Sequence, residues 1–220
     1  MRLSQRFALS YIRAKFKLLS AISKKKAAEA AFELFCTPPT RDVKELTAVF
    51  HGAEDIRFHF DQYEIVGYRW NKGGQKKVLI IHGFESTAVN FEKYIHPLIN
   101  KGYEVLAFDA PAHGRSSGQQ ITMLVYRDLI RYVHEHYGPV LSYMGHSLGA
   151  LSLSLALAEI PHDSHYRAVF IAPSSETSTA IDNFFNFLHL DKNIREEFEK
   201  VIMEKGGHPV SMVCRRQGYD

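Results

Sequence analysis

One hexapeptide concentrates the chemistry of this chain. Gly145-His146-Ser147-Leu148-Gly149-Ala150 follows the apolar run Val140-Leu141-Ser142-Tyr143-Met144 and leads into a small-residue stretch from Ala150 to Glu159. Gly-x-Ser-x-Gly between a strand and a helix predicts a nucleophile elbow. A strand that reverses at once into a helix forces its central residue into a strained conformation. Glycine at 145 and 149 removes side chains that would collide on either side, and His146 fills the position before the serine. The Ser147 hydroxyl would then project from the carboxyl edge of a sheet, over helix N–H groups suited to an oxyanion.

Two further motifs follow strand-like runs. His82-Gly83-Phe84-Glu85-Ser86 comes directly after Lys77-Val78-Leu79-Ile80-Ile81. Acyl transfer turns a carbonyl oxygen into an oxyanion that needs two aimed amide donors. Phe84 N–H is the best candidate for one and Leu148 N–H, just after the serine, for the other. The second motif, Asp109-Ala110-Pro111-Ala112-His113-Gly114-Arg115-Ser116, follows the strand expected at 104–108. His82, Asp109 and His113 are read as residues that hold these loops rather than as proton carriers. All three loops fall at carboxyl ends of strands, where open α/β sheets bind their ligands.

The elements that must position these loops are legible from periodicity. Runs at 55–60 and 64–70 flank Asp61-Gln62 and predict a hairpin. Strands at 77–81, 104–108, 140–145 and 168–172 alternate with helical stretches near 88–101, 120–137 and 148–159. That alternation predicts an α/β fold with a mostly parallel, doubly wound sheet. Two helices follow at 178–190 and 192–205, the first rich in aromatics (Phe184, Phe185, Phe187) and the second charged. Residues 1 to about 36 read as helical, with Ala8, Ile12, Phe16, Leu19 and Ile22 on one stripe. The chain thus divides into a basic N-terminal helical extension (1–40), an α/β core (41–176), a cap-like helical segment (177–210) and an irregular tail (211–220).

Composition narrows the function classes. The 220 residues carry 45% hydrophobic and 23% charged residues, ordinary for a globular domain. A net charge of +3 is too small to argue for nucleic acid. Two cysteines, Cys36 and Cys214, form no metal or redox spacing, and no cofactor or metal site is expected. They fit free thiols in a reducing compartment. No apolar run approaches the ~20 residues of a membrane span, and the cytoplasm is the expected location. Before Glu29 every charge is positive, eight in all: Arg2, Arg6, Arg13, Lys15, Lys17, Lys24, Lys25 and Lys26. Residues 1–26 could dock weakly on an anionic membrane surface. An accessory helix with a solvated basic face is the preferred reading.

Taken together, His82-Gly83, the 109–116 motif and Gly145-His146-Ser147-Leu148-Gly149-Ala150 resemble the α/β-hydrolase superfamily. Within it the chain is most similar to small bacterial serine hydrolases of the lysophospholipase and esterase-like kind, over roughly residues 45 to 210. The resemblance implies Ser147 as nucleophile, the Phe84 and Leu148 amides as oxyanion hole, and the helices at 178–205 as the start of a cap over an acyl pocket. The implied substrate is a small-molecule carboxylic ester, thioester or similar acyl compound. Serine at 147 in place of aspartate argues against epoxide hydrolase and haloalkane dehalogenase chemistry.

The sequence departs from that family where the triad should be completed. The family places an acid and then a histidine on loops after later strands. Here the histidines after Ser147 are His162, His165, His189 and His208, and none follows a strand-like run. Glu176 is the only stand-in acid, with a surface loop role preferred. The tail from Ser211 to Asp220 has neither helical nor strand patterning. One permitted set of codons from Met212 onward, read one base later, encodes a segment that resembles how related hydrolases continue, so the expectation is that a frameshift or early stop removed the last strands, the acid and the base. The sheet would then end at 168–172 as an apolar, unpaired edge that invites aggregation or an oligomeric partner. The alternative is a non-catalytic or degenerate hydrolase-fold protein with membrane-surface association.

Overall fold

The structure is a computed structural model, and it describes residues 3–41, 43–173 and 177–206. Glu176, His208, Cys214 and the whole 211–220 tail, singled out above, lie outside the described residues. The chain divides into two units, one drawn from residues 37–174 and the other from both ends of the sequence.

The larger unit is built on a six-stranded sheet. Its strands are β1 (Glu54–Phe60), β2 (Tyr63–Trp70), β3 (Lys76–Ile81), β4 (Tyr103–Phe108), β5 (Ser142–His146) and β6 (Arg167–Ile171), in the order β1-β2-β4-β3-β5-β6. β1 and β2 form the expected antiparallel hairpin, with Phe60 opposite Tyr63 across the turn. β2 runs antiparallel to β4, and all remaining pairs are parallel. This is the mostly parallel α/β sheet that the alternation of runs predicts.

The β3 sequence explains why that sheet sits at the centre. Its apolar residues face both ways. Leu79 and Ile81 join one core with Leu106 and Phe108 of β4, packed under helices α5 (Met123–Tyr137) and α6 (Leu148–Glu159). Val78 and Ile80 join another with Val105 and Ala107, packed under the short helix α3 (Ala48–His51) and helix α4 (Glu92–Asn100). Each fully buried aliphatic side chain of this kind contributes about 1.5–3 kcal/mol. A strand apolar on both faces has no solvent side to offer, so it must be central.

The two edges of the sheet differ sharply. β1 exposes Glu54, Asp55, Arg57 and His59, charged or polar side chains that blunt an edge. β6 pairs only with β5 among the described residues. It leaves Val169 51% and Phe170 43% exposed, the apolar edge that the sequence predicts.

In the other unit, α1 (Leu3–Ile22), α2 (Lys24–Phe35), α7 (Thr177–Leu188) and α8 (Lys192–Gly206) share one core. Phe16, Ala27, Ala28 and Ala31 from the first pair meet Ile181, Phe185, Phe198 and Val201 from the second. The sequence separates 1–40 from 177–210, because two apolar stripes far apart in a chain carry no label saying that they meet. The single helical segment expected to residue 36 is two helices. Ser23 breaks it, adopting extended backbone and accepting a hydrogen bond from Lys26 N–H at its Oγ (3.3 Å). That is an N-cap, and it starts α2 afresh. The stripe read on α1 is also only partly the packed face. Phe16 is buried, Ile12 and Leu19 are half-buried, and Ala8 and Ile22 are exposed.

The β6 edge generates a test. Lysine at Val169 and Phe170 places charge on a strand edge without disturbing a buried side chain. The double substitution Val169→Lys, Phe170→Lys is expected to lower light scattering of the concentrated protein while leaving its circular dichroism unchanged. Unchanged scattering would show that the β6 edge carries no association.

Candidate active site

The three motif loops sit at the carboxyl ends of β4, β3 and β5, which are neighbours in the sheet. Their convergence follows from strand order, and hydrogen bonds then lock two of them together.

The lock begins with His82, at the end of β3. Its Nδ1–H donates to Gly83 O (2.8 Å), and its Nε2 accepts from Ala110 N–H (2.9 Å) just after β4. Tyr126 of α5 donates its hydroxyl to His82 O (3.0 Å). His113 repeats the arrangement in the other direction. Its Nδ1–H donates to Pro111 O (2.9 Å) and its Nε2 accepts from Glu85 N–H (3.3 Å). Each ring therefore ties the 82–86 loop to the 109–116 loop and is held in one tautomer.

Asp109 completes the lock. Oδ1 accepts from Ala88 N–H (2.9 Å) and Oδ2 from Arg115 N–H (3.0 Å). Ser116 Oγ donates to Asp109 O (2.6 Å) and accepts from Val66 N–H (2.9 Å), which anchors the loop to β2. Arg41 adds an outer clamp by donating to Gly114 O (3.1 Å) and Gly118 O (3.3 Å). The carboxyl cannot tolerate a side chain beside it, since a Cβ on Gly114 would lie 2.2 Å from Oδ2.

Burial sets the protonation of this cluster. Desolvation lowers both histidines from 6.5 to about 4. Both rings are thus neutral near pH 7. Burial raises the Asp109 pKa, opposed by the amide donors of Arg115 and Ala88. Neither histidine has a ring nitrogen left to take a proton from a substrate or from Ser147. The reading of His82, Asp109 and His113 as loop-holding residues agrees with this geometry.

The third loop is the turn from β5 into α6. Ser147 has φ 50° and ψ −118°, and it is the residue between the last strand position, His146, and the first helical one, Leu148. A non-glycine residue at positive φ stores about 1–3 kcal/mol of strain and needs surroundings that hold it. Its own N–H donates to Ile171 O of β6 (3.1 Å), and its carbonyl accepts from Leu151 N–H (3.1 Å). The two glycines have separate reasons. A Cβ on Gly145 would meet Ala150 Cα at 2.8 Å, and one on Gly149 would meet His82 O at 2.2 Å. The helix is therefore pressed against both its own strand and the end of β3.

The same contact brings the expected donors near the serine. A Cβ on Gly83 would lie 3.0 Å from Ser147 Cβ and 2.7 Å from His146 Nδ1. The loop bearing Phe84 thus passes directly against the elbow. Leu148 N–H belongs to the first turn of α6, where amides have no partner four residues back. His146 is half-buried, with its ring 6.3 Å from that of Phe91.

The remaining sequence candidates fall elsewhere. His162 and His165 lie between α6 and the start of β6, at the opposite end of the strands from Ser147. His162 Nδ1–H donates to Ile160 O (2.8 Å), and His165 pairs with Asp163 (3.2 Å). His189 lies in the turn after α7, in the other unit. Tyr126 and Arg41 are the residues that sequence reasoning missed, together with the anchoring bonds of Ser116 inside the 109–116 motif. Tyr126 carries no signal at all, being one more aromatic on an apolar helix face. A depression of about 560 Å3 between Lys44, Thr47, Asn90 and Lys93 includes none of the motif residues Ser147, Phe84 or Leu148.

Comparison with known proteins places this geometry. The family described as serine aminopeptidase, S33, one of the hydrolases, matches residues 73–217. The chain belongs to that family, and so to the α/β-hydrolase superfamily. Among curated relatives, an uncharacterized hydrolase of Bacillus subtilis (strain 168), YugF, is 32% identical over 106 residues, 46% of this chain and 38% of that protein. A serine hydrolase-like protein of Dictyostelium discoideum is 30% identical over 120 residues, 51% of this chain and 33% of its own length. The chain spans well under half the length of either. Among solved structures, the esterase Pf2001 of Pyrococcus furiosus superposes with a TM-score of 0.53 at 23% identity, covering 74% of this chain and 68% of that one. A thioesterase domain from the curacin biosynthetic pathway gives 0.51 at 23% identity, over 62% and 54%. Both show a shared fold.

Two tests follow from the site. The unfolded chain protonates His82 and His113 below about pH 6.5, whereas the folded protein resists until about pH 4. Stability is therefore full above pH 6.5 and falls between 6.5 and 4, by up to roughly 3 kcal/mol for each ring. Urea midpoints across that range are expected to show the fall, and His82→Gln to flatten it from a lower starting stability. For the elbow, glycine accepts positive φ and alanine does not, so Ser147→Gly is expected to exceed Ser147→Ala in stability by about 1 kcal/mol. Equal urea midpoints would mean that the turn is relaxed in solution.

Proposed function

We propose that the chain carries a serine hydrolase site that cleaves a carboxylic ester, thioester or related acyl bond through an acyl-Ser147 intermediate. Ser147 Oγ attacks the substrate carbonyl and its proton leaves with the departing alcohol or thiol. Phe84 N–H and Leu148 N–H receive the negative charge that develops on the carbonyl oxygen. Water then releases the acid and regenerates the hydroxyl. The observation that carries this reading is the positive-φ turn at Ser147, with the Gly83 backbone packed against it. A fold that holds one residue strained at the mouth of a sheet, beside a second loop, supports a site rather than a plain connection. Membership of a hydrolase family supports the same chemistry.

Serine is a weak nucleophile at neutral pH and needs a base beside it. His82 and His113 do not serve, because both ring nitrogens of each are already engaged. On this reading the proton acceptor of Ser147 therefore lies outside His82 and His113. That same engagement favours a second reading, a degenerate hydrolase fold with no acyl chemistry.

A fluorophosphonate probe separates the two. Labelling of the wild-type chain that disappears in Ser147→Ala is the expected result. Substitution of Gly83 by valine, which crowds the serine, is expected to slow labelling by about tenfold or more, as a misplacement near 1 Å does elsewhere. No labelling of a folded wild-type chain favours the degenerate reading.

A further inference from the structure

Helix α1 has two apolar faces, and among the described residues only one of them is packed. Phe16 is buried in the four-helix core, with Leu9, Ile12 and Leu19 half-buried beside it. On another face Phe7 is 68% exposed, Tyr11 71%, Leu18 66% and Ile22 71%. At 100° per residue these four fall within a sector of about 60°, centred roughly 130° from the packed side chains. Ala14 and Ala21, both exposed, widen that sector along one border. The result is one continuous apolar stripe along a 20-residue helix. A helix that packs one face on protein ordinarily turns a polar face to water. Large aromatic and aliphatic side chains lined up in solvent mark a surface that meets something.

Charge says what that partner is. Lys15 flanks the stripe on one side and Lys17 and Arg6 on the other, and all three are exposed. Lys24, Lys25 and Lys26 follow in the first turn of α2, also exposed, with Lys25 4.0 Å from Glu204. Arg13 is turned the other way and donates to Phe187 O (2.6 Å). No acidic residue occurs before Glu29. An apolar stripe rimmed by cations alone complements a surface that is apolar within and anionic at its border, which describes an anionic bilayer. Lysine and arginine stems can lie along the stripe while their charges reach the headgroups. No helix among the described residues is long and apolar enough to cross a membrane.

We infer that the exposed face of α1 docks the protein in the plane of an anionic lipid bilayer, with Phe7, Tyr11, Leu18 and Ile22 inserted and Arg6, Lys15 and Lys17 at the headgroups. The inference stands independently of Ser147 and its chemistry.

Vesicle sedimentation of the full 220-residue chain tests it. Phosphatidylcholine vesicles with 30% phosphatidylglycerol are expected to bind the protein at least about tenfold better than phosphatidylcholine alone, with the difference shrinking as salt rises. Phe7→Ser, Tyr11→Ser, Leu18→Ser, Ile22→Ser together should lose that binding, as should Lys15→Glu with Lys17→Glu. The changed side chains are exposed, and thermal melts of both variants serve as controls for folding. A Tyr11→Trp variant supplies a second readout, since its emission should shift to the blue on anionic vesicles while buried Trp70 does not respond. Absence of phosphatidylglycerol-dependent binding overturns the inference, as does equal binding by the quadruple serine variant. A dimer in gel filtration that the quadruple variant abolishes, without vesicle binding, would assign the stripe to a second copy instead and overturn it equally.

Discussion

The hydrogen bond from Ala110 N–H to His82 Nε2 is the interaction on which the rest of the site depends. It crosses from the end of β4 to the end of β3, beyond the ladder that joins the two strands. Because it needs an unprotonated nitrogen, it works only while the imidazole is neutral, and burial ensures that it is. His113 and Asp109 extend the same brace to Glu85, Ala88 and Arg115. Gly149 then seats α6 against His82 O, so the strained turn at Ser147 is pressed onto a foundation already fixed. The turn's own bonds, from Ser147 N–H to Ile171 O and from Leu151 N–H to Ser147 O, hold it from the other side.

Seen from this brace, the histidines of the chain divide by what their nitrogens are doing. His82 and His113, on the two loops beside the elbow, are consumed by backbone partners, and their role is mechanical. A cluster of imidazoles at strand ends looks like acid–base machinery from composition alone. Its hydrogen bonds make it scaffolding, and the chemistry proposed for Ser147 has to be judged without it.

Much of the fold was readable because the strand residues obey a simple rule. Val78 to Ile81 are apolar at successive positions, so both sides of that strand must be covered, and a central parallel strand follows. The elbow was readable for a different reason, since Gly145 and Gly149 are small where backbone approaches closely. The hidden parts share a cause as well. Ser23 looks like one polar residue inside a lysine- and alanine-rich helix, and only its side-chain bond to Lys26 reveals a cap. Tyr126 is indistinguishable in sequence from its neighbours on α5. On α1, apolar residues occupy two sectors, so a helical stripe can be drawn through Ile22 although that residue is exposed. Periodicity finds a face, but it cannot say which of two faces has a neighbour. Nor can it show that the first and last helices share Phe16, Phe185 and Phe198 in one core.

The unequal borders of the sheet carry a consequence for assembly. Endless stacking of sheets into a fibre needs two adhesive borders per molecule, so that each newcomer brings a fresh one. Here the border at β1 is armoured by Glu54, Asp55 and Arg57, while the border at β6 presents Val169 and Phe170. A molecule with a single adhesive side can take one neighbour through it and then has none left to offer. Among the described residues β6 is the one apolar border, so any association through it would terminate at a pair instead of propagating.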